Sequence, residues 1–146
     1  MSKKGIALVA AEFNRGVVDS MVAAARDEAA AANVAIVVEA RVPGCYETPL
    51  IVDRLLARRD VEVVVVLGYI ERGDTQHGEV MGQVVHAALT NASLTYGKPV
   101  GLGLIGPGAT AEQAEARKDP YARAAVRAAL AQVAALAAVA PRKKKR

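Results

Sequence analysis

The stretch VEVVVVLGYIERGDTQHGEV (residues 61–80) joins the most apolar run of the chain to its densest cluster of polar residues. Residues 61–68 are dominated by valine, which is typical of a strand covered on both faces of a parallel sheet. Two acids, an arginine, a threonine, a glutamine, a histidine and two glycines follow within residues 71–78, before a helical pattern starts. The stretch therefore predicts a buried parallel strand whose carboxyl end carries the chemistry.

Apolar runs and helical patterns alternate along the rest of the chain. Strands are predicted at 5–11, 34–40, 61–68 and 98–106, and helices at 16–33, 49–60, 79–96 and from 110 to about 139. Thr110 and Gln113 form a capping-box pattern, and Pro120 is expected to bend or divide the last helix. Right-handed crossovers between parallel strands then give a three-layer α/β/α sandwich with a four-stranded parallel sheet.

Composition limits the class of protein. The chain has 146 residues, enough for one domain, and 53% are hydrophobic and 23% charged, as in soluble globular proteins. A single cysteine rules out an internal disulfide, and no uncharged apolar stretch reaches the roughly 20 residues of a membrane helix. The start of the chain lacks the layout of a signal peptide. We therefore expect a cytoplasmic protein that has no membrane partner.

The positive charge is concentrated at the carboxyl end. The net charge is +4, but without the five basic residues of 142–146 the balance is 14 basic against 15 acidic residues. We predict one domain over 1–140 and a disordered basic tail over 141–146. Such a tail either solubilises the protein or contacts nucleic acid or another anionic surface.

Four polar segments follow the predicted strands, at 12–15, 42–49, 68–77 and 105–110. Because the carboxyl ends of parallel strands share one edge of the sheet, these segments are expected to converge. Gly73 and Thr75 precede a helix start, which suits a phosphate or another oxyanion. His77 is the candidate for proton transfer, since both forms of histidine are accessible near neutral pH; the alternative is a bond to a loop carbonyl.

Other residues of these segments and of the last helix each allow two interpretations. Glu47 binds polyol hydroxyls or caps a helix, and Phe13 is a stacking platform or a core plug. Cys45 is reactive or simply packed. Arg117 and Arg123 clamp a phosphate or are solvated charges. The sequence shows neither a recognisable metal-ligand spacing nor a nucleophile triad.

Five segments, in register and in this order, resemble the 6,7-dimethyl-8-ribityllumazine synthase family. They are AEFN (11–14), VPGCYETP (42–49), LGYIERGDTQHGEV (67–80), KPVGLGL (98–104) and TAEQAEAR (110–117). The form GPGAT (106–110) and the short amino terminus are most similar to the archaeal branch. The resemblance implies a flavodoxin-like lumazine synthase fold and the condensation of 5-amino-6-(D-ribitylamino)uracil with 3,4-dihydroxy-2-butanone 4-phosphate, without metal or cofactor. It also implies a homo-pentamer with sites between subunits, or twelve pentamers in a 60-subunit shell.

The resemblance assigns roles by position, with His77 as the proton shuttle. The pyrimidine and ribityl pocket would comprise Phe13, Asn14, Cys45, Tyr46, Glu47, Tyr69, Ile70, Glu71 and Leu102. The phosphate site would comprise Gly73, Asp74, Thr75, Arg117 and Arg123, with Arg117 supplied by an adjacent subunit. The chain departs from the family pattern at four positions, with Leu102 in place of an aromatic residue, Gly78 in place of a frequent aromatic, Cys45 in place of alanine and Arg123 in place of lysine.

Two alternatives stay open at this point. The first is a non-catalytic shell or scaffold protein on the same fold, whose basic tail recruits anionic cargo such as nucleic acid. The second is the archaeal riboflavin synthase that shares the fold, which the RGDTQH pattern (72–77) disfavours.

Overall fold

A computed structural model describes residues 4–141 of the protein. The elements in chain order are β1 (Gly5–Ala11), α1 (Arg15–Ala31), β2 (Ile36–Val42), a 3-10 turn (Cys45–Glu47), α2 (Thr48–Leu56), β3 (Val61–Glu71), α3 (His77–Tyr96), β4 (Val100–Ala109) and α4 (Ala111–Val139). This alternation confirms the predicted α/β fold. The predicted basic tail lies, from residue 142 onward, outside the described residues.

All strand pairs of the sheet are parallel, and the strand order is β2-β1-β3-β4. The chain adds β2 on one side of β1 and then crosses to place β3 on the other side. Loops that leave β1 and β3 therefore diverge, which opens a crevice at the carboxyl ends of these two strands. This crevice is where the polar end of β3 emerges.

Helices cover both faces of the sheet, and β3 shows why its sequence is so apolar. Val63, Val65 and Leu67 pack into the core on the side of α1 and α4. Val64 and Val66 pack into the core on the side of α2 and α3. All five side chains are fully buried, because successive residues of a strand point to opposite faces and both faces are covered.

The strands β3 and β4 run further than predicted. Their ladder passes Tyr69 opposite Ile105 and resumes with Glu71 opposite Ala109, so residues 106–108 bulge out of β4. Gly106 and Gly108 have φ of 92° and 86°, a region that favours glycine, and a Cβ on Gly106 would collide with the Ile70 carbonyl. The glycines mark a bulge, where the pattern had indicated the end of a strand.

The helix α4 is continuous, so Pro120 does not divide it, while a bend at Pro120 stays a prediction. Proline removes one backbone hydrogen bond, but small residues on either side of it, Ala114 and Ala122, are fully buried in the core shared with α1. The predicted capping box is confirmed: Gln113 N–H donates to Thr110 Oγ1 at 3.2 Å, and Thr110 N–H donates to Gln113 Oε1 at 3.0 Å.

The helix α4 is also long and apolar enough, by length and composition alone, to cross a membrane. Only 22% of its most apolar 18-residue window is buried inside the chain. The sequence-based expectation concerns uncharged apolar stretches, whereas α4 carries charged residues such as Arg123 and Arg127. Helices of globular proteins pass the same test, and α4 packs on α1 through ion pairs of Arg123 and Arg127 with Glu28.

Candidate active site

A cavity of about 460 Å³ lies at the carboxyl rim of the sheet, where β1 and β3 end. Its volume is in the range of sites for small molecules. The lining comes from the segments after β1, β2 and β3: Phe13, Pro43, Gly44, Cys45, Tyr46, Glu47, Tyr69, Ile70, Glu71, Gly73, Thr75, His77, Gly78 and Met81. The predicted convergence is confirmed for these three segments. The fourth, 105–110, does not line this cavity but, through Pro107 and Gly108, a neighbouring one of about 200 Å³ that shares Gly73, Thr75 and Gly78.

The structure brings most of the predicted site residues to this cavity, but not all of them. The predicted residues outside its lining are Asn14, Asp74, Leu102, Arg117 and Arg123. The lining also includes Pro43 and Gly44 of the predicted segment 42–49, Gly78, which the sequence had marked as a departure from the family pattern, and Met81, which sequence reasoning missed. Met81 lies one helical turn after His77, so the spacing of four residues was an available signal.

The segment after β1 places Phe13 and Asn14. Phe13 is 61% exposed and lines the cavity, so its ring is not a core plug and is available for stacking. Its N–H donates to the Pro43 carbonyl at 3.0 Å, which joins the segments after β1 and β2. Asn14 adopts φ 62° and ψ 44°, and its Nδ2 donates to the Tyr69 carbonyl at 3.1 Å. Asn14 therefore braces β1 against β3.

Cys45 forms part of the floor of the cavity. Its side chain is 5% exposed, and a Cβ on Gly68 would lie only 2.9 Å from its Sγ, so the glycine of β3 leaves the space that the thiol occupies. Burial, with a smaller contribution from the charge of Glu47, raises the pKa of Cys45 to about 11. A thiol that is neutral and packed is a weak nucleophile, so the structure supports the packed interpretation.

Tyr46 and Glu47 belong to the 3-10 turn, and both line the cavity. The Tyr46 ring stands 6.0 Å from the His77 ring, centroid to centroid, at an angle of 57°. Glu47 immediately precedes α2 but makes no side-chain capping bond, which leaves its carboxylate available to a ligand. A Cβ on Gly44 would lie 3.3 Å from Glu47 Oε2, so the glycine lets the carboxylate lie close to the backbone.

Tyr69 is the first of three residues at the end of β3 that line the cavity, and its side chain points away from the cavity. The Tyr69 side chain is 5% exposed, packs in the core on the α1 and α4 side, and its hydroxyl donates to the Ala109 carbonyl at 2.8 Å. Burial raises the pKa of Tyr69, with Glu71 as a smaller cause. Tyr69 therefore lines the cavity through its backbone, and its carbonyl is already bonded to Asn14.

The loop 72–76 leads into α3, whose first residue is His77. The N-cap of α3 is Gln76, which makes no side-chain capping bond. Thr75 lies one position earlier, and its Oγ1 accepts the His77 N–H at 3.3 Å. The remaining N–H groups of the first turn and the helix dipole favour an anion there. A Cβ on Gly78 would lie 3.2 Å from the Glu71 carbonyl oxygen, so α3 starts in close contact with β3.

The other predicted residues lie on β4 and α4. Leu102 is 38% exposed and lines a separate cavity of about 370 Å³ between β4 and α4. Arg117 is exposed on α4. Arg123 has partners other than the predicted phosphate, because its Nε donates to Asp119 Oδ2 at 2.9 Å and its Nη1 to Glu28 Oε2 at 3.4 Å. These bonds raise the pKa of Arg123, the bond to Asp119 most.

The fold and the cavity define a class of protein: a flavodoxin-like α/β sandwich with a small-molecule cavity beside a helix start, at the switch in strand order. Residues 3–139 match the family model described as 6,7-dimethyl-8-ribityllumazine synthase. The chain belongs to this family.

Proteins named 6,7-dimethyl-8-ribityllumazine synthase are among the similar ones. The protein from Aeropyrum pernix is 44% identical over 126 residues, 86% of this chain and 86% of that protein. The protein from Metallosphaera sedula is 41% identical over 125 residues, 86% of this chain and 83% of that protein. The protein from Halobacterium salinarum is 44% identical over 119 residues, 82% of this chain and 90% of that protein. These relatives confirm the family resemblance, and they give no support to a non-catalytic scaffold.

Proposed function

We propose that this chain condenses 5-amino-6-(D-ribitylamino)uracil with 3,4-dihydroxy-2-butanone 4-phosphate to give 6,7-dimethyl-8-ribityllumazine, a step of riboflavin biosynthesis. The amine of the pyrimidine forms an imine with the ketone, phosphate leaves, and the second ring closes. One phosphate and two waters are released in total. The name that the relatives share supports this reaction.

The observation that carries the proposal is the cavity in which Phe13, Glu47 and His77 come together from three different segments. Phe13 is the exposed aromatic face on which the pyrimidine stacks. Glu47 accepts hydrogen bonds from the ribityl hydroxyls, and Tyr46 lines the same part of the cavity. The backbone at residues 69–71 flanks the edge of the ring.

His77 moves protons between the reacting atoms. Imine formation, elimination and dehydration are chiefly proton transfers, and holding two substrates in one cavity supplies much of the remaining rate. The imidazole is exposed to the cavity and lies beside the start of α3. The same position serves both the amine and the departing phosphate.

The phosphate binds at the start of α3, next to His77. Gly73, Asp74 and Thr75 hold it through backbone N–H groups and the Thr75 hydroxyl. Arg117 of an adjacent subunit adds a planar, bidentate clamp. The position of Arg117 on α4, outside the cavity of its own chain, supports a contribution to the neighbouring site.

We propose that the working assembly is a homo-pentamer, with the 60-subunit shell as its larger form. Apolar side chains on the outer face of α3 support an interface between copies, since Val80 and Val84 are each 51% exposed and Leu94 is 76% exposed. Five copies of a 15.2 kDa chain give about 76 kDa, and sixty give about 912 kDa. Mass measurement of the intact particle distinguishes them from a monomer.

The reaction is tested by mixing the two substrates and following the near-visible absorbance of the lumazine, a band that the substrates lack. The product should form far faster with the protein than in buffer, and inorganic phosphate should be released in equal amount. A His77→Ala protein, prepared in the same way, controls for contaminating enzyme. Colour that forms no faster than in buffer would refute the proposed function.

A further inference from the structure

The 3-10 turn that contains Tyr46 and Glu47 is stabilised by a hydrogen bond from the buried hydroxyl of Thr48. Thr48 is fully buried, and its Oγ1 donates to the Cys45 carbonyl at 2.7 Å. The Thr48 N–H donates to the same carbonyl, and the Glu47 N–H donates to the Gly44 carbonyl at 3.2 Å. The turn is thus closed on both sides before α2 begins.

This closure decides where the Glu47 carboxylate lies. Glu47 makes no capping bond to α2, and its Oε2 lies against Gly44, so the backbone of the turn sets its direction. Thr48 itself does not line the cavity, whereas the three residues of the turn all do. A substitution at Thr48 therefore affects ligand binding only by changing the geometry of the turn.

We infer that Thr48 is a positioning residue, whose hydroxyl holds Tyr46 and Glu47 in the geometry that binds the ribityl chain of the pyrimidine substrate. The inference rests on the proposed function. A hydroxyl on a buried β-branched residue gives the turn a bond that threonine can form and valine, of nearly the same shape, cannot. The phosphate region, at the start of α3, is not connected to this bond.

Thr48→Val is the direct test. The Cys45 carbonyl keeps its bond from the backbone N–H of residue 48, so the substitution leaves no buried polar group without a partner. The KM for the ribitylated pyrimidine should rise about fivefold, the factor expected when one neutral hydrogen bond is lost. The KM for the phosphate-bearing ketone and kcat should stay within about twofold of the wild type.

Three further variants separate positioning from simple loss of packing. Thr48→Ser keeps the hydroxyl and should keep the wild-type KM for the pyrimidine. Val52→Ala, which truncates a fully buried residue one turn along α2, should lower thermal stability without raising this KM selectively. If Thr48→Val does not fold, Thr48→Ala against Thr48→Ser gives the same comparison, because these two differ in the hydroxyl alone.

Equal changes in both KM values, or an unchanged KM for the pyrimidine in a folded Thr48→Val protein, would overturn the inference. Calorimetric titration of the ribitylated pyrimidine alone measures its Kd in the absence of turnover. A wild-type protein without turnover would refute the proposed reaction, while a fivefold weaker Kd in Thr48→Val would still support the positioning role. An unchanged Kd would refute that role whatever the reaction.

Discussion

The segments after β1, β2 and β3 meet in one cavity, whereas β4 and α4 carry three predicted site residues that do not reach it. The first region is tied together within a single chain by the bonds of Phe13 to Pro43 and of Asn14 to Tyr69. The second region presents Leu102 and Arg117 outward. Under the proposed function, Arg117 reaches the site from a neighbouring copy, so substitutions in the two regions should behave differently.

His77→Ala should have the largest effect, because it removes the one imidazole of the cavity. We expect kcat to fall about 100-fold, the lower end for loss of a general acid–base group, since substrate proximity still contributes. The KM values should change little. His77 lines the cavity and belongs to neither core cluster, so the mass of the assembly should not change. A wild-type kcat in a stopped-flow absorbance assay would remove His77 from the mechanism.

Arg117→Ala should lower kcat/KM for the phosphate substrate about 30-fold, the scale of a lost charge-assisted hydrogen bond. The KM for the pyrimidine should stay near the wild-type value. Arg117→Lys keeps the charge but not the planar fork, so its kcat/KM for the phosphate substrate should lie between those of the wild type and of Arg117→Ala. Steady-state kinetics with each substrate varied in turn make the measurement, and an unchanged dependence on the phosphate substrate would exclude the clamp.

Mixing the two variants tests whether the regions belong to different copies. If His77 acts in one copy and Arg117 of its neighbour completes the site, random co-assembly of equal amounts of His77→Ala and Arg117→Ala chains restores about a quarter of the sites. Co-assembly means denaturing and refolding the chains together; mixing the folded proteins is the control. No recovery in co-assembled particles would show that both residues act from the same chain.

The first region was the more predictable from sequence, for a physical reason. Parallel strands share an end, so the polar segments after β1, β2 and β3 had to converge, and Phe13, Glu47 and His77 were found there. The run of valines in β3 likewise predicted a strand that is buried on both faces. The capping box of α4 was readable because it depends on residues three positions apart.

What the sequence did not predict depends on contacts between distant segments. The amide of Asn14 bonds a carbonyl 55 positions away, and no local pattern encodes that partner. The glycines of 106–108 predict the end of β4, whereas the ladder continues past this bulge to Ala109. Pro120 does not divide α4, because burial of Ala114 and Ala122 in the core compensates for the backbone bond that proline removes.

Cys45 belongs to the first region, and its ionisation tests whether the floor of the cavity is closed to solvent. Burial raises its folded-state pKa to about 11 from 9.0. Below pH 9 the thiol is protonated in both the folded and unfolded states, so its contribution to stability is fully present; it is lost as pH rises toward 11, because the unfolded chain ionises first. Relative to Cys45→Ala, the free energy of unfolding of the wild type should fall by about 1 kcal/mol between pH 8 and pH 10.

Urea unfolding of both proteins at the two pH values measures this difference. Using the difference between proteins cancels the titration of tyrosines and lysines common to both. A difference that does not change with pH would mean that the thiol ionises as freely in the folded protein as in the unfolded one, and that the floor of the cavity is not closed.

Arg123→Ala should have the smallest effect on catalysis, even though the residue belongs to the predicted phosphate site. In the structure, its guanidinium is held by Asp119 and Glu28, which bind α4 to itself and to α1. These ion pairs are only partly buried and contribute little, and they hold Arg123 away from the cavity. The kcat/KM for the phosphate substrate should therefore stay within about twofold of the wild type, with a small decrease in melting temperature. Glu28→Gln, which weakens the same cluster from α1, should lower the melting temperature in the same direction. A loss of affinity for the phosphate substrate in Arg123→Ala but not in Glu28→Gln would instead show that Arg123 binds the phosphate. Arg123 would then join Arg117 as a residue that one chain contributes to the site of its neighbour.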